Sequence, residues 1–179
     1  MNKDIRLIPL SEEYLELALE WRNAESVRKN MYTSHVISLE EHKRWFEGIK
    51  DDATKRYFIV SIEGELLGVV GFTEINNVMG IASWAFYASP KAPRGTGSKM
   101  EFSALDYAFN ELKLHKLRCE VLGFNQPVVK LHTKFGFTLE GTHRDAHYDG
   151  ESYQDVIHLG LLEQEWQLHR EVIKDKLGL

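Results

Sequence analysis

The chain holds a single cysteine, Cys119. One thiol makes no intramolecular disulfide and no metal site by itself, so the sequence reads as that of a protein from a reducing compartment, and a cytoplasmic location is expected. Free cysteine usually behaves as a small hydrophobe, which makes Cys119 a candidate buried strand residue rather than a nucleophile. Long apolar runs are also lacking. Nothing approaches the ~18 residues of a membrane-spanning helix, and Met1–Leu7 carries no apolar leader core, so neither membrane insertion nor export is expected. Positive charge is scarce: 22 Lys and Arg against 27 Asp and Glu give a formal net charge of −5. Such a surface is ill suited to collecting phosphate backbones, and nucleic acid is not an expected partner. Repeats, low-complexity linkers and metal-ligand spacings are missing as well, and no metal is expected. What the 179 residues do contain, at 43% hydrophobic, is enough apolar material for one compact domain.

The patterning alternates between strand and helix signals. Residues 5–9 read as a first strand, and Ser11-Glu12-Glu13 opens a helical pattern through Trp21. Trp21-Arg22-Asn23 through Met31-Tyr32-Thr33 is polar, aromatic and irregular. Ser38-Leu39-Glu40-Glu41 has the form of a capping box and leads into Trp45, Phe46 and Ile49. Strands are expected at 56–62, 65–75 and 81–88, the first two joined by the hairpin signal Glu63-Gly64. Pro90 and Pro93 end strand character, and a helical pattern runs from the Arg94–Lys99 loop to Leu112. A strand at 116–122, a short helix at 128–135 stopped by Gly136, and closing strands at 137–140 and 152–162 complete the order. The expected architecture is α/β (α+β): a mixed, mostly antiparallel central sheet with helices on both faces. It occupies residues 1–165, followed by a helical tail at 166–179 in which Trp166 packs the tail onto the rest.

Two stretches carry chemistry. Arg94-Gly95-Thr96-Gly97-Ser98-Lys99 links a strand to a helix through glycines, so that backbone N–H groups and the helix dipole favour a phosphate there. The loop lacks the Gly-Lys-Ser/Thr ending of a Walker A motif and is not G-x-G-x-x-G. Asn125 through Phe137 then follows a strand end with a short helix and a Phe-Gly-Phe turn, a unit that can border a cleft between separating strands. His132 lies on that helix. On its own, a histidine there is more often a surface or packed residue than a catalytic one.

Together and in this order the two stretches resemble the GNAT superfamily of N-acetyltransferases. Arg94–Lys99 is similar to its pyrophosphate loop, Q/R-x-x-G-x-G/A, and Asn125–Phe137 to its N-x-x-A-x-x-x-Y-x-x-x-G-F segment. The resemblance implies the GNAT fold, acetyl-CoA as cosubstrate, and direct attack by an amine in a ternary complex. It also assigns roles. The strand at Phe86, Tyr87 and Ala88 holds the thioester and pantetheine arm, Arg94, Gly95, Thr96, Gly97, Ser98 and Lys99 meet the pyrophosphate, and Asn125 fixes the pantetheine. His132 stands where the family commonly has a tyrosine that protonates the departing thiolate. An imidazolium near ~6.5 can protonate a thiolate whose thiol lies near ~8.5, so the replacement is chemically competent. Lys99 stands where the loop usually ends in a small residue.

Within the superfamily, Trp21-Arg22-Asn23, Met31-Tyr32, the helix from Ser38, Leu114-His115-Lys116-Leu117 and Glu120-Val121-Leu122 with Asn125 resemble the branch that acetylates the 4-amino group of a UDP-linked 4-amino-4,6-dideoxy sugar in pseudaminic acid biosynthesis. That implies a small-molecule nucleotide-sugar partner, with Arg22, Met31, Tyr32, His42, Trp45, Thr73 and Trp84 as its contacts. A water relayed through Glu74 or His42 would then serve as base. A monomer or homodimer is expected. Two alternatives stay open: an acceptor that is a protein N-terminus or a polyamine, and a non-catalytic acyl-CoA-binding module.

Overall fold

A computed structural model describes residues 4–179. Among these residues seven strands form one sheet in the order β1-β2-β3-β4-β5-β7-β6. The strands are β1 (Ile5–Pro9), β2 (Arg56–Ile62), β3 (Glu65–Asn76), β4 (Ile81–Ala88), β5 (Lys116–Leu122), β6 (Thr138–Tyr148) and β7 (Tyr153–Leu162). Every pairing is antiparallel except β4 with β5. The helices are α1 (Leu15–Asn23), α2 (Glu25–Arg28), α3 (Leu39–Ile49), α4 (Thr96–Asp106), α5 (Gln126–Lys134) and α6 (Glu163–Leu177). The mixed, mostly antiparallel sheet with helices on both faces is the expected one.

Both faces of the central strands are buried, which is why β2 and β3 read as nearly continuous apolar runs. Phe58, Val60, Val70 and Phe72 point into the larger core with Met100 and Leu105 of α4. Ile59 and Val69 point the other way, against Ala18 and Trp21 of α1. Alternation on each strand thus assigns one residue in two to each layer of helices. The β2–β3 connection is a two-residue turn in which Glu63 and Gly64 both have positive φ, 54° and 88°, the backbone twist that suits a tight hairpin. Ser38 caps α3 by accepting the Glu41 N–H at 3.1 Å. The second half of the expected capping box does not form, because the Glu41 carboxylate turns to His35 instead, 3.0 Å away.

Four elements differ from the sequence reading. A one-turn helix, α2, interrupts the segment read as irregular. Ser11 opens a 3-10 turn at Glu12–Tyr14 before α1 begins. The strand expected at 137–140 runs on to Tyr148 as β6. Nearly all of β6 is exposed, so no apolar alternation marks it, and its pairing with β7 alone makes it a strand. A π-helical turn at Tyr107–Glu111 ends the helix that begins with α4.

Residues 165 and 166, the expected limit of the domain, lie inside the first turns of α6, and Trp166 is wholly buried. Its ring stacks near Phe135 and meets Phe102 edge-on, and its Nε1 donates to Asp106 Oδ1 at 3.1 Å. Arg170 adds two hydrogen bonds to Asp106, both 2.7 Å. Trp166→Ala is expected to cost about 3–5 kcal/mol in denaturant unfolding, the usual range for deleting a large buried ring. A loss below about 1 kcal/mol would mean that α6 is a dispensable appendage.

Candidate active site

The site follows from where one ladder stops. β4 and β5 pair in parallel at Ile81–Lys116, Ala82–Leu117 and Ser83–Arg118, and no further. β4 continues to Ala88, still paired with β3, while β5 continues to Leu122, paired with β7. Beyond Ser83 the two strands diverge, and among the described residues one edge of β4 has no strand partner. Unpaired backbone groups at a strand edge are a template for an extended ligand.

Two cavities meet at this fork. One, of about 550 Å³, lies toward α1 and α3, and the other, of about 210 Å³, lies toward α5. Met31, Trp84, Ala85, Tyr87 and Glu120 line both.

The smaller cavity gathers Phe86, Tyr87, Asn125 and His132. Ala88, at the far end of β4, pairs with Gly68 and does not line it. Next to it stands the start of α4. Gly95 caps that helix with φ 92°, a left-handed conformation strained for other residues, and Thr96 Oγ1 donates to Pro93 O at 2.8 Å. Among the described residues no acceptor meets the amides of Gly97 and Ser98. A side chain at Gly97 would reach only ordinary contact with Leu131 and Phe86, 3.6 and 3.7 Å away, so the loop lies against the cavity wall. Arg94 and Lys99 flank it. A left-handed glycine, free amides at a helix start and an unpaired strand edge fit the pyrophosphate and pantetheine arm of acetyl-CoA.

His132 is 3% exposed and sits among the rings of Trp84, Phe86 and Phe137. Its Nδ1 lies 2.8 Å from Glu101 Oε1, which leaves Nε2 as the nitrogen free to serve the cavity. Cys119 is buried there too, as expected of a packed strand residue. Burial, and then the nearby Glu101 carboxylate, push its thiol well above the ordinary value, so it stays protonated.

The larger cavity brings together all the residues expected to contact an acceptor: Arg22, Met31, Tyr32, His42, Trp45, Thr73 and Trp84. Arg22 donates from Nη2 to Thr33 O at 2.8 Å, while its Nη1 is buried without a partner. His42 stacks on Trp45 with centroids 4.9 Å apart, and its Nε2 is likewise buried and unpartnered. Burial, reinforced by the Arg22 cation, lowers the His42 pKa and favours the neutral ring. Glu74 lies on the rim at a bulge with φ 52°. It accepts from Ser83 Oγ at 2.8 Å and Arg118 Nη2 at 2.7 Å, and these bonds hold its carboxyl below the usual range. A carboxylate held so firmly as an anion is a weak proton acceptor.

The residue with no role in the reading of single positions is Glu120. It is the one carboxylate at the junction of the cavities, where it accepts from the Tyr32 hydroxyl at 2.6 Å. Burial and this carboxylate push the Tyr32 phenol upward. Behind Glu120 stand His158, 3.7 Å away, and then His143, 3.0 Å from His158. The signal was present in β5, where Leu117, Cys119 and Val121 are buried and the alternate residues Arg118 and Glu120 face outward. Glu101 had no comparable signal, because a glutamate in a helix normally faces water.

The geometry agrees with known proteins. A model described as acetyltransferase (GNAT) domain matches residues 4–138. The chain is 29% identical over 139 residues to acetyltransferase PseH of Campylobacter jejuni, covering 78% of this chain and 86% of that one. It is 26% identical over 163 residues to spermidine N(1)-acetyltransferase of Escherichia coli K12, covering 90% and 88%. The crystal structure of spermidine N-acetyltransferase from Vibrio cholerae in complex with CoA and spermine superposes with a TM-score of 0.85 at 25% identity, covering 91% and 98%.

The depressed pKa of His42 has a measurable consequence. A histidine that prefers to be neutral in the fold contributes stability that is present above the ordinary value of ~6.5 and is lost as pH falls through the lowered folded value. The thermal midpoint of His42→Gln is therefore expected to fall less steeply than that of the wild type as pH is lowered from about 7 to about 5. Parallel curves would show that His42 titrates alike in the folded and unfolded chains.

Proposed function

Because the chain belongs to the GNAT acetyltransferase family, whose members use acetyl-CoA as acetyl donor, we propose that it acetylates the amino group of a UDP-linked 4-amino-4,6-dideoxy sugar by direct transfer in a ternary complex. The observation that carries the acceptor class is Arg22. Its guanidinium has a buried, unpartnered Nη1 in the larger cavity, and such an orphaned donor calls for an anionic or strongly accepting ligand. Trp45 and Tyr57, whose rings meet edge-on with centroids 5.0 Å apart, offer flat faces for a base and an apolar face for a sugar methyl.

Acetyl-CoA brings a thioester carbonyl carbon and a thiol leaving group. The free edge of β4 and the Gly97 and Ser98 amides hold it along the fork. The acceptor nitrogen belongs at the junction of the cavities, where Glu120 takes its proton, directly or through one water. The new N–C bond forms as the C–S bond breaks, and His132 Nε2 delivers a proton to sulfur. Glu120 is half exposed, so solvent can take that proton from it directly, with His158 3.7 Å away as a neighbouring acceptor.

A polyamine is the second reading. It is favoured by Glu41, Glu74 and Glu120 around the larger cavity and by the similarity to spermidine acetyltransferases. Against it, Glu74 is engaged by Arg118, which leaves Glu41 and Glu120 to meet a polyamine cation.

Thiol release from acetyl-CoA, with the UDP-amino sugar, spermidine and a short peptide offered separately, distinguishes the readings. Turnover confined to the sugar, with a KM raised about tenfold or more by Arg22→Ala, is the expected result, since a charged hydrogen bond is worth about 1.5–3 kcal/mol. Preference for spermidine, or a lowered spermidine KM in Arg22→Ala, would favour the polyamine. Tight CoA binding with no turnover on any acceptor would leave a binding module. Glu120→Gln is expected to lower kcat by about 10²-fold and Glu74→Gln by less than about tenfold. The reverse order would return the proton to Glu74.

A further inference from the structure

Glu101 is the least explicable charge in the molecule. It is 0% exposed, lies in α4 between Met100 and Phe102, and has one carboxylate oxygen, Oε2, buried without a partner. Its other oxygen, Oε1, meets His132 Nδ1 at 2.8 Å. Charged groups are almost never buried outright unless paired, and a purely apolar contact here would serve packing as well or better.

We propose that Glu101 is a positioning residue for His132. The two form a carboxylate–imidazole pair, bridging α4 and α5, that aims Nε2 into the smaller cavity and keeps a proton available there for the leaving thiolate. The inference rests on the reading of His132 as general acid and adds to it the device that makes a histidine work in that place. A tyrosine carries its acidic proton on one atom. A histidine has two nitrogens, and the wrong tautomer or a flipped ring presents nothing to the sulfur.

The surroundings make the pair self-contained. The side chains packed around the ring are the aromatic Trp84 and Phe86 of β4 and Phe137 at the entrance to β6. Cys119 of β5 is the nearby titratable group and is held neutral. Burial raises the Glu101 carboxyl while His132 acts in the opposite direction, so the carboxylate depends on its partner.

The proton inventory balances. Before transfer the pair holds two protons, as carboxylate with imidazolium. Nε2 gives its proton to sulfur, an S–H bond forms, and the pair is left with a single proton on Nδ1 facing the carboxylate. No oxidant or reductant takes part. One proton from solvent restores the pair, matching the one that the acceptor amine releases.

The test uses the full-length protein with Glu101→Gln, His132→Phe and the double variant. Glu101→Gln is expected to lower kcat by about 10- to 100-fold with an acetyl-CoA KM within about twofold of wild type. The double variant is expected to be no slower than His132→Phe, as for two residues acting as a unit. Independently of turnover, ¹⁵N NMR of histidine-labelled wild type is expected to find the neutral ring of His132 carrying its proton on Nδ1, the nitrogen that faces Glu101. A neutral His132 carrying its proton on Nε2, or a Glu101→Gln enzyme with wild-type kcat beside an impaired His132→Phe, overturns the role of Glu101. A His132→Phe enzyme with wild-type kcat overturns the acid reading itself. Should Glu101→Gln not fold, the wild-type NMR result decides alone.

Discussion

The parallel ladder between β4 and β5 ends after three residue pairs, and the functional geometry hangs on that ending. Each strand keeps its outer partner, β3 or β7, so the sheet stays continuous below the fork and opens above it. Parallel strands joined through a helix can diverge in this way because a crossover, unlike a hairpin, does not tie their ends together. The open edge of β4 and the start of α4 then face the same space. Arg118, Ser83 and Glu74 form a polar clasp at the base of the fork, where the last paired residues sit.

Against this apolar frame the buried polar groups stand out. Among the described residues Arg22 Nη1, His42 Nε2 and Glu101 Oε2 all lack partners, and the first two border the larger cavity. Each such group costs about 1–3 kcal/mol when left unmade, so a ligand that satisfies them gains affinity without new apolar contact. The Glu101–His132 pair is a different case, because both members are shielded from solvent. Removing one partner of a buried pair typically costs about 3–5 kcal/mol, whereas replacing both with apolar residues is often neutral. Stability alone therefore does not account for its presence.

The acceptor question turns on charge at the same cavity. Its rim is acidic in composition, yet the carboxylates face internal partners: Glu74 meets Arg118, Glu41 meets His35 and Glu120 meets the Tyr32 hydroxyl. Arg22, the one Lys or Arg among the described residues that line it, has an unused donor. A ligand in this cavity therefore meets both an unused cationic donor and carboxylates, and local pairing governs recognition at contact distance.

Most of the architecture was legible in the residues themselves. Local physics determined the hairpin at Glu63-Gly64, the cap at Ser38 and the limits of β4 and β5, because turn geometry and two-sided apolar burial leave direct marks at fixed spacing. The glycine loop at 94–99 and the segment from Asn125 to Phe137 were legible for the same reason, and with them the family and the acetyl donor. The length of β6 was not, since an exposed edge strand is defined by hydrogen bonds to its neighbour and not by its own pattern. Nor were Glu101 and the junction position of Glu120. Whether a glutamate meets water, a phenol or a buried imidazole depends on residues 31 to 88 positions away in the chain, and only the packing of α4, α5 and β5 around the fork decides it.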